Sequence, residues 1–222
     1  MFIHEILNPI YQPLCASSSL EDGLQAMGVQ HSDVLPVVDL TTGKTLGTVC
    51  LEDIRYEKDV QQTIFSKISR NPCRIEPGMH IMDAGRKMIR ENANAAVVCD
   101  EQQAYSGFVL REEINEALLQ LLNISRDGAT IMFELQPADY SLTELVRLIE
   151  MEGGKIMGIG VEPAASSADR FRVSVKLNTD DIDPILRILN RYGFIITSKS
   201  AETESDDDLH DRADELMRFL SI

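Results

Sequence analysis

The stretch Leu35–Ile54, which reads LPVVDLTTGKTLGTVCLEDI, predicts a β-hairpin that runs directly into a helix. Two short apolar runs are separated by turn residues, and Asp and Gly between β-branched runs are typical of a hairpin. Glu52 and Asp53 follow the second run at once, and carboxylates favour the first turn of a helix because they complement its dipole. The stretch therefore predicts strand, turn, strand and helix start.

The same pattern returns about sixty residues later in Ala95–Ile114, which reads AAVVCDEQQAYSGFVLREEI. Superposing Gly47 on Gly107 aligns matched residues of the two hairpins: Val37-Val38 with Val97-Val98, Asp53 with Glu113 and Ile54 with Ile114. Upstream apolar residues extend the match to a preceding strand and helix, so each copy is predicted to be β-α-β-β-α. A unit of this size buries too little surface to be stable alone, and we expect the two copies to pack on each other.

Two further segments belong to this part of the chain. Residues 2–12 carry a one-sided apolar pattern that predicts a short helix ending before Pro9 or Pro13. After the first hairpin, the sequence predicts a helix from Asp53 to about Val60 and then a link to the second copy.

Two short motifs carry a family resemblance. Pro36-Val37-Val38-Asp39, followed by Gly47-Thr48-Val49, three further residues and Asp53-Ile54, resembles the signature of CBS domains, the modules named after cystathionine β-synthase. CBS domains occur as tandem pairs, and the repeat supplies such a pair over about the first 125 residues. The resemblance implies a regulatory module that binds an adenine nucleotide (AMP, ADP or ATP) in clefts between the repeats. It also implies a homodimer in which two pairs associate face to face.

The resemblance further implies which residues line the clefts. A carboxylate would accept hydrogen bonds from both ribose hydroxyls, and a hydroxyl three residues earlier would bind phosphate. These positions hold Asp53 and Cys50 in the first repeat and Glu113 and Leu110 in the second, while Leu35 and Pro36 would form part of an adenine wall. A thiol is a weak hydrogen-bond donor and a leucine side chain donates nothing, so both clefts depart from the family pattern.

Each of these positions also has an explanation without a ligand. A carboxylate at Asp53 or Glu113 stabilises a helix start through the dipole. Leu35 and Pro36 would be explained equally well as ordinary packing residues of a buried strand. Arg55 and Arg111 stand beside the helix starts, where they would either bind phosphate or remain solvated.

Composition narrows the class of partner. The formal net charge of −15 argues against a surface for nucleic acid or for an anionic membrane, because both need clustered Lys and Arg. No run of about twenty apolar residues predicts a transmembrane helix, and the first residues do not have the pattern of a signal peptide. The cysteines, Cys15, Cys50, Cys73 and Cys99, are scattered without CxxC spacing, which favours reduced thiols and a cytoplasmic location.

No motif predicts catalysis. The histidines, His4, His31, His80 and His210, share no metal-ligand spacing, so no metal site is predicted. The sequence also lacks a phosphate-binding P-loop, a GxGxxG fingerprint and a GxSxG elbow. We therefore expect a protein that is not an enzyme and that carries no cofactor.

A second type of domain begins after Gly128. Over residues 129–199, alternating strands and one-sided helices predict the ferredoxin-like order β-α-β-β-α-β. This plan, with Gly-Gly-Lys-Ile-Met-Gly-Ile-Gly from Gly153, resembles ACT domains, regulatory folds that often bind amino acids at paired interfaces. ACT ligand sites usually carry a Pro-Gly turn after the first strand, whereas the turn here, Gln136–Tyr140, contains no Gly. The order CBS–CBS–ACT resembles the acetoin-utilisation-type accessory proteins of bacteria.

The predicted fold class is therefore α/β (α+β), a tandem CBS-domain pair followed by a ferredoxin-like ACT-like domain. The predicted domains are the pair at residues 1–125 (repeats at about 1–64 and 65–125), the ACT-like domain at 129–199 and a tail at 200–222. The tail begins with an acidic stretch that indicates a solvated linker, and Leu209–Leu220 then has helical spacing. That last segment would either dock as a helix or form a frayed end.

Two functional hypotheses follow. In the first, the protein is a sensor in which a nucleotide between the repeats shifts the angle between them. In the second, the clefts have lost their ligand, and the protein acts as a dimerisation and interaction module. Asp53 and Gly47 favour the sensor, while Cys50 and Leu110 favour the interaction module.

Overall fold

The two sequence repeats form two three-stranded sheets with the same strand order. The computed structural model describes residues 1–8, 10–136, 142–164 and 170–200, and it divides the chain into two compact units, Met1–Leu118 and Leu119–Ile222. The elements of the first repeat are β1 (Leu14–Cys15), α2 (Leu20–Gln30), β2 (Val34–Val38), β3 (Thr45–Cys50) and α3 (Leu51–Ile54). Those of the second are β4 (Arg74–Ile75), α4 (Ile81–Arg90), β5 (Ala95–Cys99), β6 (Tyr105–Leu110) and α5 (Arg111–Leu121). The predicted β-α-β-β-α repeat is confirmed.

Each sheet pairs a short parallel strand with an antiparallel hairpin, in the orders β1-β2-β3 and β4-β5-β6. Gly47 lies opposite Val37 in the first hairpin, and Gly107 lies opposite Val98 in the second. The predicted match of Val37-Val38 with Val97-Val98 is therefore wrong by one residue. The reason is that the turn between β5 and β6 is one residue shorter than the turn between β2 and β3.

Backbone hydrogen bonds between the hairpin turns join the two repeats. The Tyr105 amide donates to the Gly43 carbonyl at 3.0 Å, and the Thr45 amide donates to the Gln103 carbonyl at 3.3 Å. A hairpin of this length is marginal in isolation. The expectation that the two copies pack on each other is confirmed.

The segments that flank the first repeat form backbone hydrogen bonds with the two repeats. The helix α1 (Ile3–Ile6) ends before Pro9, as predicted, and the amides of Ile3 and His4 donate to the carbonyls of Met79 and Pro77 in the second repeat at 3.0 and 2.9 Å. The linker after the first repeat turns back onto that repeat, where Ser69 and Thr48 exchange backbone hydrogen bonds at 2.8 and 3.1 Å. The leading segment thus packs on the second repeat and the linker packs on the first.

The predicted helix from Asp53 to about Val60 is wrong in length, because α3 ends at Ile54. Only Ile54 of this helix is buried, and the residues that follow it offer no apolar stripe that could pack on the core. A helix without a buried face gains little from tertiary packing and stops early. A 3₁₀ turn at Ile64–Lys67 then leads into the linker.

The apolar faces of the first repeat meet in one cluster. Leu20 and Met27 from α2 pack with Leu35, Val37 and Val49 from the hairpin. The helix begins at a capping box, in which the Asp22 amide donates to Ser19 Oγ at 3.0 Å and the Ser19 amide donates to the Asp22 carboxylate at 2.9 Å.

The second unit has the predicted β-α-β-β-α-β order. Its elements are β7 (Thr130–Leu135), α6 (Leu142–Met151), β8 (Ile156–Pro163), β9 (Phe171–Leu177), α7 (Asp183–Arg191) and β10 (Ile196–Ser200). The strands form an antiparallel sheet in the order β10-β7-β9-β8. Alternate residues of β7 and β9 are buried against the two helices, which confirms the predicted α+β class. Most of the predicted Gln136–Tyr140 turn and the predicted helix Leu209–Leu220 lie outside the described residues.

We expect Gly47→Ala to destabilise the first unit far more than Gly107→Ala does. A methyl group at position 47 would lie 2.1 Å from the Ser69 carbonyl oxygen, which is backbone, whereas one at position 107 would meet only the Leu7 side chain at 3.0 Å. Overpacking of this kind costs about 1–3 kcal/mol, and we place Gly47→Ala at the upper end of that range. Urea unfolding of both variants measures the difference, and equal losses of stability would contradict it.

Candidate functional site

In both repeats the last strand of the hairpin continues directly into a helix. The Leu51 amide at the start of α3 donates to the Asp33 carbonyl at 2.7 Å, and the Arg111 amide at the start of α5 donates to the Asn94 carbonyl at 2.8 Å. These equivalent bonds fix each helix start against the residue that precedes its hairpin. Cys50 and Leu110 therefore occupy equivalent positions, both half-buried.

The two predicted adenine-wall residues are part of the first hairpin. Leu35 has no exposed surface and belongs to the core cluster of the first repeat. Pro36, on the opposite side of the strand, is also buried. A nucleotide would touch Leu35 only if that cluster opened, and the role of both residues in binding stays a prediction.

The two predicted ribose-binding carboxylates differ in their surroundings. Asp53 is exposed, and no described residue forms a hydrogen bond or an ion pair with its carboxylate. Glu113 is half-buried, and its carboxylate accepts a hydrogen bond from the Leu110 amide at 2.8 Å. Burial raises the pKa of Glu113, although the Leu110 amide and the side chains of Asn8 and Tyr11 act in the opposite direction.

A cleft of about 370 Å³ lies between the two repeats, beside the start of α5. Its lining comes from both repeats: His31, Ser32, Asp33 and Val34 from the first, and Asn94, Leu110, Arg111 and Glu112 from the second. Of the six predicted site residues, only Leu110 lines it. Our sequence reasoning missed the residues that precede β2 and β5, although the repeat could have indicated them because they face the helix starts.

The two arginines beside the helix starts have partners. The Arg111 guanidinium donates to the Ala93 carbonyl through Nε at 3.0 Å and Nη2 at 2.6 Å, which holds it at the edge of the cleft. The Arg55 guanidinium lies over the ring of Tyr56, 4.9 Å from its centroid, and is exposed. Arg111 is therefore the better placed of the two to meet an anion between the repeats.

The four thiols are free and differ in chemical environment. Hydrogen bonds with the hydroxyls of Ser17 and Ser18 lower the pKa of Cys15. Burial, helped by the charges of Asp53 and Glu52, raises the pKa of Cys50. Burial raises the pKa of Cys99, and together with a hydrogen bond to Glu91 it raises the pKa of Cys73 to about 12.

No group of three or more His, Cys, Asp or Glu side chains among the described residues could hold a metal ion. None of the helices in the described ranges has the length and apolar character needed to cross a membrane.

No protein-family model matches the sequence, and no curated protein matches it. Among solved structures, the CBS domains of a transcriptional regulator from Streptococcus pneumoniae are 21% identical with a TM-score of 0.49, covering 52% of this chain and 98% of that chain. A CBS domain pair/ACT domain protein from Thermotoga maritima is also 21% identical with a TM-score of 0.49, covering 55% of this chain and 99% of that one.

A protein from Methanocaldococcus jannaschii is 14% identical with a TM-score of 0.51, covering 55% of this chain and 61% of that chain. At this identity the likeness shows a shared fold over about half of the chain and nothing about a ligand. The two likenesses with TM-scores of 0.49 carry no inference about this chain.

We expect Cys15 to react first with iodoacetamide near neutral pH, followed by Cys50, with Cys99 and Cys73 last. The thiolate is the reactive form, so the lowered pKa of the half-buried Cys15 favours it, whereas Cys73 and Cys99 are both buried and of raised pKa. Peptide mass spectrometry over time measures the order, with the protein unfolded in guanidinium as the control in which all four react. Native labelling of Cys73 at the rate of Cys15 would refute it.

Proposed function

We propose that the chain is a non-catalytic regulatory protein that senses an adenine nucleotide bound between its two repeats. The observation that carries the proposal is the cleft of about 370 Å³, because residues of both repeats line it. A volume of this order is typical of small-molecule sites. A ligand that contacts both repeats can shift their arrangement only by its difference in affinity between the two states.

The chemistry of the cleft supports a nucleotide. The Arg111 guanidinium, which has N–H groups beyond the two bonded to Ala93, is suited to a phosphate group, and Val34 and Leu110 supply apolar surface. The carboxylates of Asp33 and Glu112 can accept hydrogen bonds from ribose hydroxyls, although their charges oppose a polyphosphate. AMP therefore fits the cleft better than ATP.

The equivalent position beside α3 is a second location for the same ligand. Asp53 is free to accept both ribose hydroxyls there, and the half-buried Cys50 takes the position of the phosphate-binding hydroxyl. The resemblance to CBS domains supports this assignment for Asp53, Cys50, Leu35 and Pro36. In the second repeat the same resemblance points to Leu110 and Glu113.

Thermal unfolding of the full chain with AMP, ADP, ATP and a panel of amino acids tests the proposal. A ligand at about a hundred times its dissociation constant adds roughly 2.7 kcal/mol of stability, and we expect such a shift with AMP. Asp53→Ala, with the neighbouring exposed Glu52→Ala as its control, should abolish the shift if the nucleotide lies beside α3. Asn94→Trp, with Gln120→Trp as its control, should abolish it if the nucleotide lies beside α5.

Alkylation of Cys50 tests independently whether a nucleotide binds beside α3. A nucleotide beside α3 should slow the alkylation of Cys50 and leave that of Cys15 unchanged. If no adenine nucleotide shifts the unfolding temperature or protects Cys50, the sensor proposal fails and the interaction module remains.

The interaction module is the second candidate, and an apolar groove favours it. The groove, of about 440 Å³, runs between α4 and α5, and its apolar lining includes Met82 and Ile89, which is 74% exposed. We propose that this face takes part in a homodimer of the kind that the CBS resemblance implies. A two-fold dimer covers the same surface on both copies.

Light scattering of the full chain at micromolar concentration measures this association. We expect a dimer for the unmodified protein and a shift towards monomer for Ile89→Glu. Leu40→Glu is the control, because Leu40 is equally exposed but lies in the turn of the first hairpin. A monomer in the unmodified protein would contradict the homodimer.

Several finer assignments remain proposals. The resemblance of the second unit to ACT domains supports an amino-acid ligand there, but most of the turn that would bind it lies outside the described residues. The likeness to acetoin-utilisation-type accessory proteins of bacteria and the cytoplasmic location rest on the sequence alone.

A further inference from the structure

An aromatic side chain from the leading segment covers the apolar wall of the second repeat. Ala95, Val97 and Phe108 form this wall, and all three are buried. The ring of Tyr11 packs against it, with its centroid 5.7 Å from that of Phe108 and the two planes at 74°. This edge-to-face arrangement is a preferred one for aromatic pairs.

The same tyrosine also neighbours a carboxylate beside this wall. Its phenol and the Asn8 side chain lie beside the Glu113 carboxylate and act to lower the pKa of that group. The Leu110 amide donates a hydrogen bond to the same carboxylate at 2.8 Å. The carboxylate expected to hold a ribose thus lies beside residues 8 and 11.

Further contacts anchor the segment on either side of Tyr11. Leu7 lies against Gly107, close enough that a methyl group there would be 3.0 Å from its side chain. The Gln12 amide donates to Gln30 Oε1 at 2.8 Å, and Gln30 Nε2 donates to the Gln12 carbonyl at 3.3 Å. The Tyr105 hydroxyl donates to the Tyr11 carbonyl at 3.5 Å.

The first repeat has no equivalent arrangement among its described residues. Thr48 and Cys50 stand at the positions of Phe108 and Leu110, so the wall there is more polar. The linker residues at the positions of Asn8, Tyr11 and Gln12 are Ser69, Pro72 and Cys73, and none of them is aromatic. An aromatic cover is therefore a property of the second repeat.

We propose that Tyr11, with Asn8 and Gln12, is a built-in occupant of the apolar wall of the second repeat, beside the cleft that Val34 and Leu110 line, where its ring takes the place that a flat aromatic ligand would fill against Phe108. Binding of a nucleobase at this wall and docking of this N-terminal strap (Asn8, Tyr11 and Gln12) are then mutually exclusive. The strap lowers the apparent affinity of the cleft by the fraction of molecules in which it is docked. A ligand that enters releases the strap, so the leading segment reports occupancy of the cleft.

The identity of the competing ligand rests on the proposed function, whereas the role of the strap does not. Tyr11→Ala in the full chain separates the two. We expect the variant to unfold at a lower temperature and to be stabilised by p-cresol, the side chain that it lacks, whereas p-cresol leaves the unmodified protein unchanged. Tyr56→Ala is the matched control, because Tyr56 is 80% exposed and its removal leaves no cavity.

The nucleotide arm uses AMP. We expect AMP to bind Tyr11→Ala about tenfold more tightly than the unmodified protein, since the competing strap is lost. Stabilisation by p-cresol without a gain in AMP affinity would overturn the competition with a nucleotide, and no effect of either compound would overturn the occupant itself. If Tyr11→Ala does not fold, Tyr11→Leu decides, because it removes the aromatic ring and keeps an apolar side chain against Phe108. Unchanged AMP affinity in Tyr11→Leu would then refute the proposal.

AMP stabilisation of the unmodified protein that is sensitive to Asp53→Ala would come from the first cleft and does not depend on Tyr11. The experiments therefore distinguish a wrong proposal about the strap from a wrong proposal about nucleotide binding.

Discussion

The first unit depends on the packing of the two segments that flank its first repeat. Each repeat offers a hairpin, a two-residue parallel strand and two helices, which is less than a stable domain needs. The leading segment covers the second repeat and the linker covers the first, so neither repeat has a complete surface on its own. Ile3, which is fully buried, contributes about 1.5–3 kcal/mol of hydrophobic stabilisation to a repeat that begins some seventy residues later.

This shared framework holds two strand-to-helix junctions that are similar in backbone and different in chemistry. The hairpins have the same pairing around Gly47 and Gly107, and in both the helix start is bonded to the residue before the hairpin. Their side chains diverge, since Thr48 and Cys50 stand in the first repeat where Phe108 and Leu110 stand in the second. The same backbone geometry thus presents a more polar surface in one repeat and a more apolar one in the other.

Much of the fold could be predicted because hydrophobic period and turn residues are local signals. The β-α-β-β-α order of each repeat and the β-α-β-β-α-β order of the second unit were both predicted from such signals. The helix after Asp53 was predicted too long, since acidic residues indicate a start but only a buried face sustains the turns that follow. The packing of Tyr11 against Phe108 could not be predicted, because the two residues are far apart in sequence and no spacing rule connects them. For the same reason the lining of the cleft, apart from Leu110 and Arg111, emerged only with the structure.

The crossing of the leading segment also sets an order of assembly. His4 pairs with Pro77, 73 residues away, so this contact closes one of the longest loops in the unit, and closing a long loop is entropically unfavourable. The linker pairs at much shorter range, since Ser69 meets Thr48. As the chain leaves the ribosome, the first repeat can therefore gain its cover before the residues that the leading segment needs have been synthesised. The leading segment precedes the first repeat in the chain and is nevertheless the later of the two to find its place.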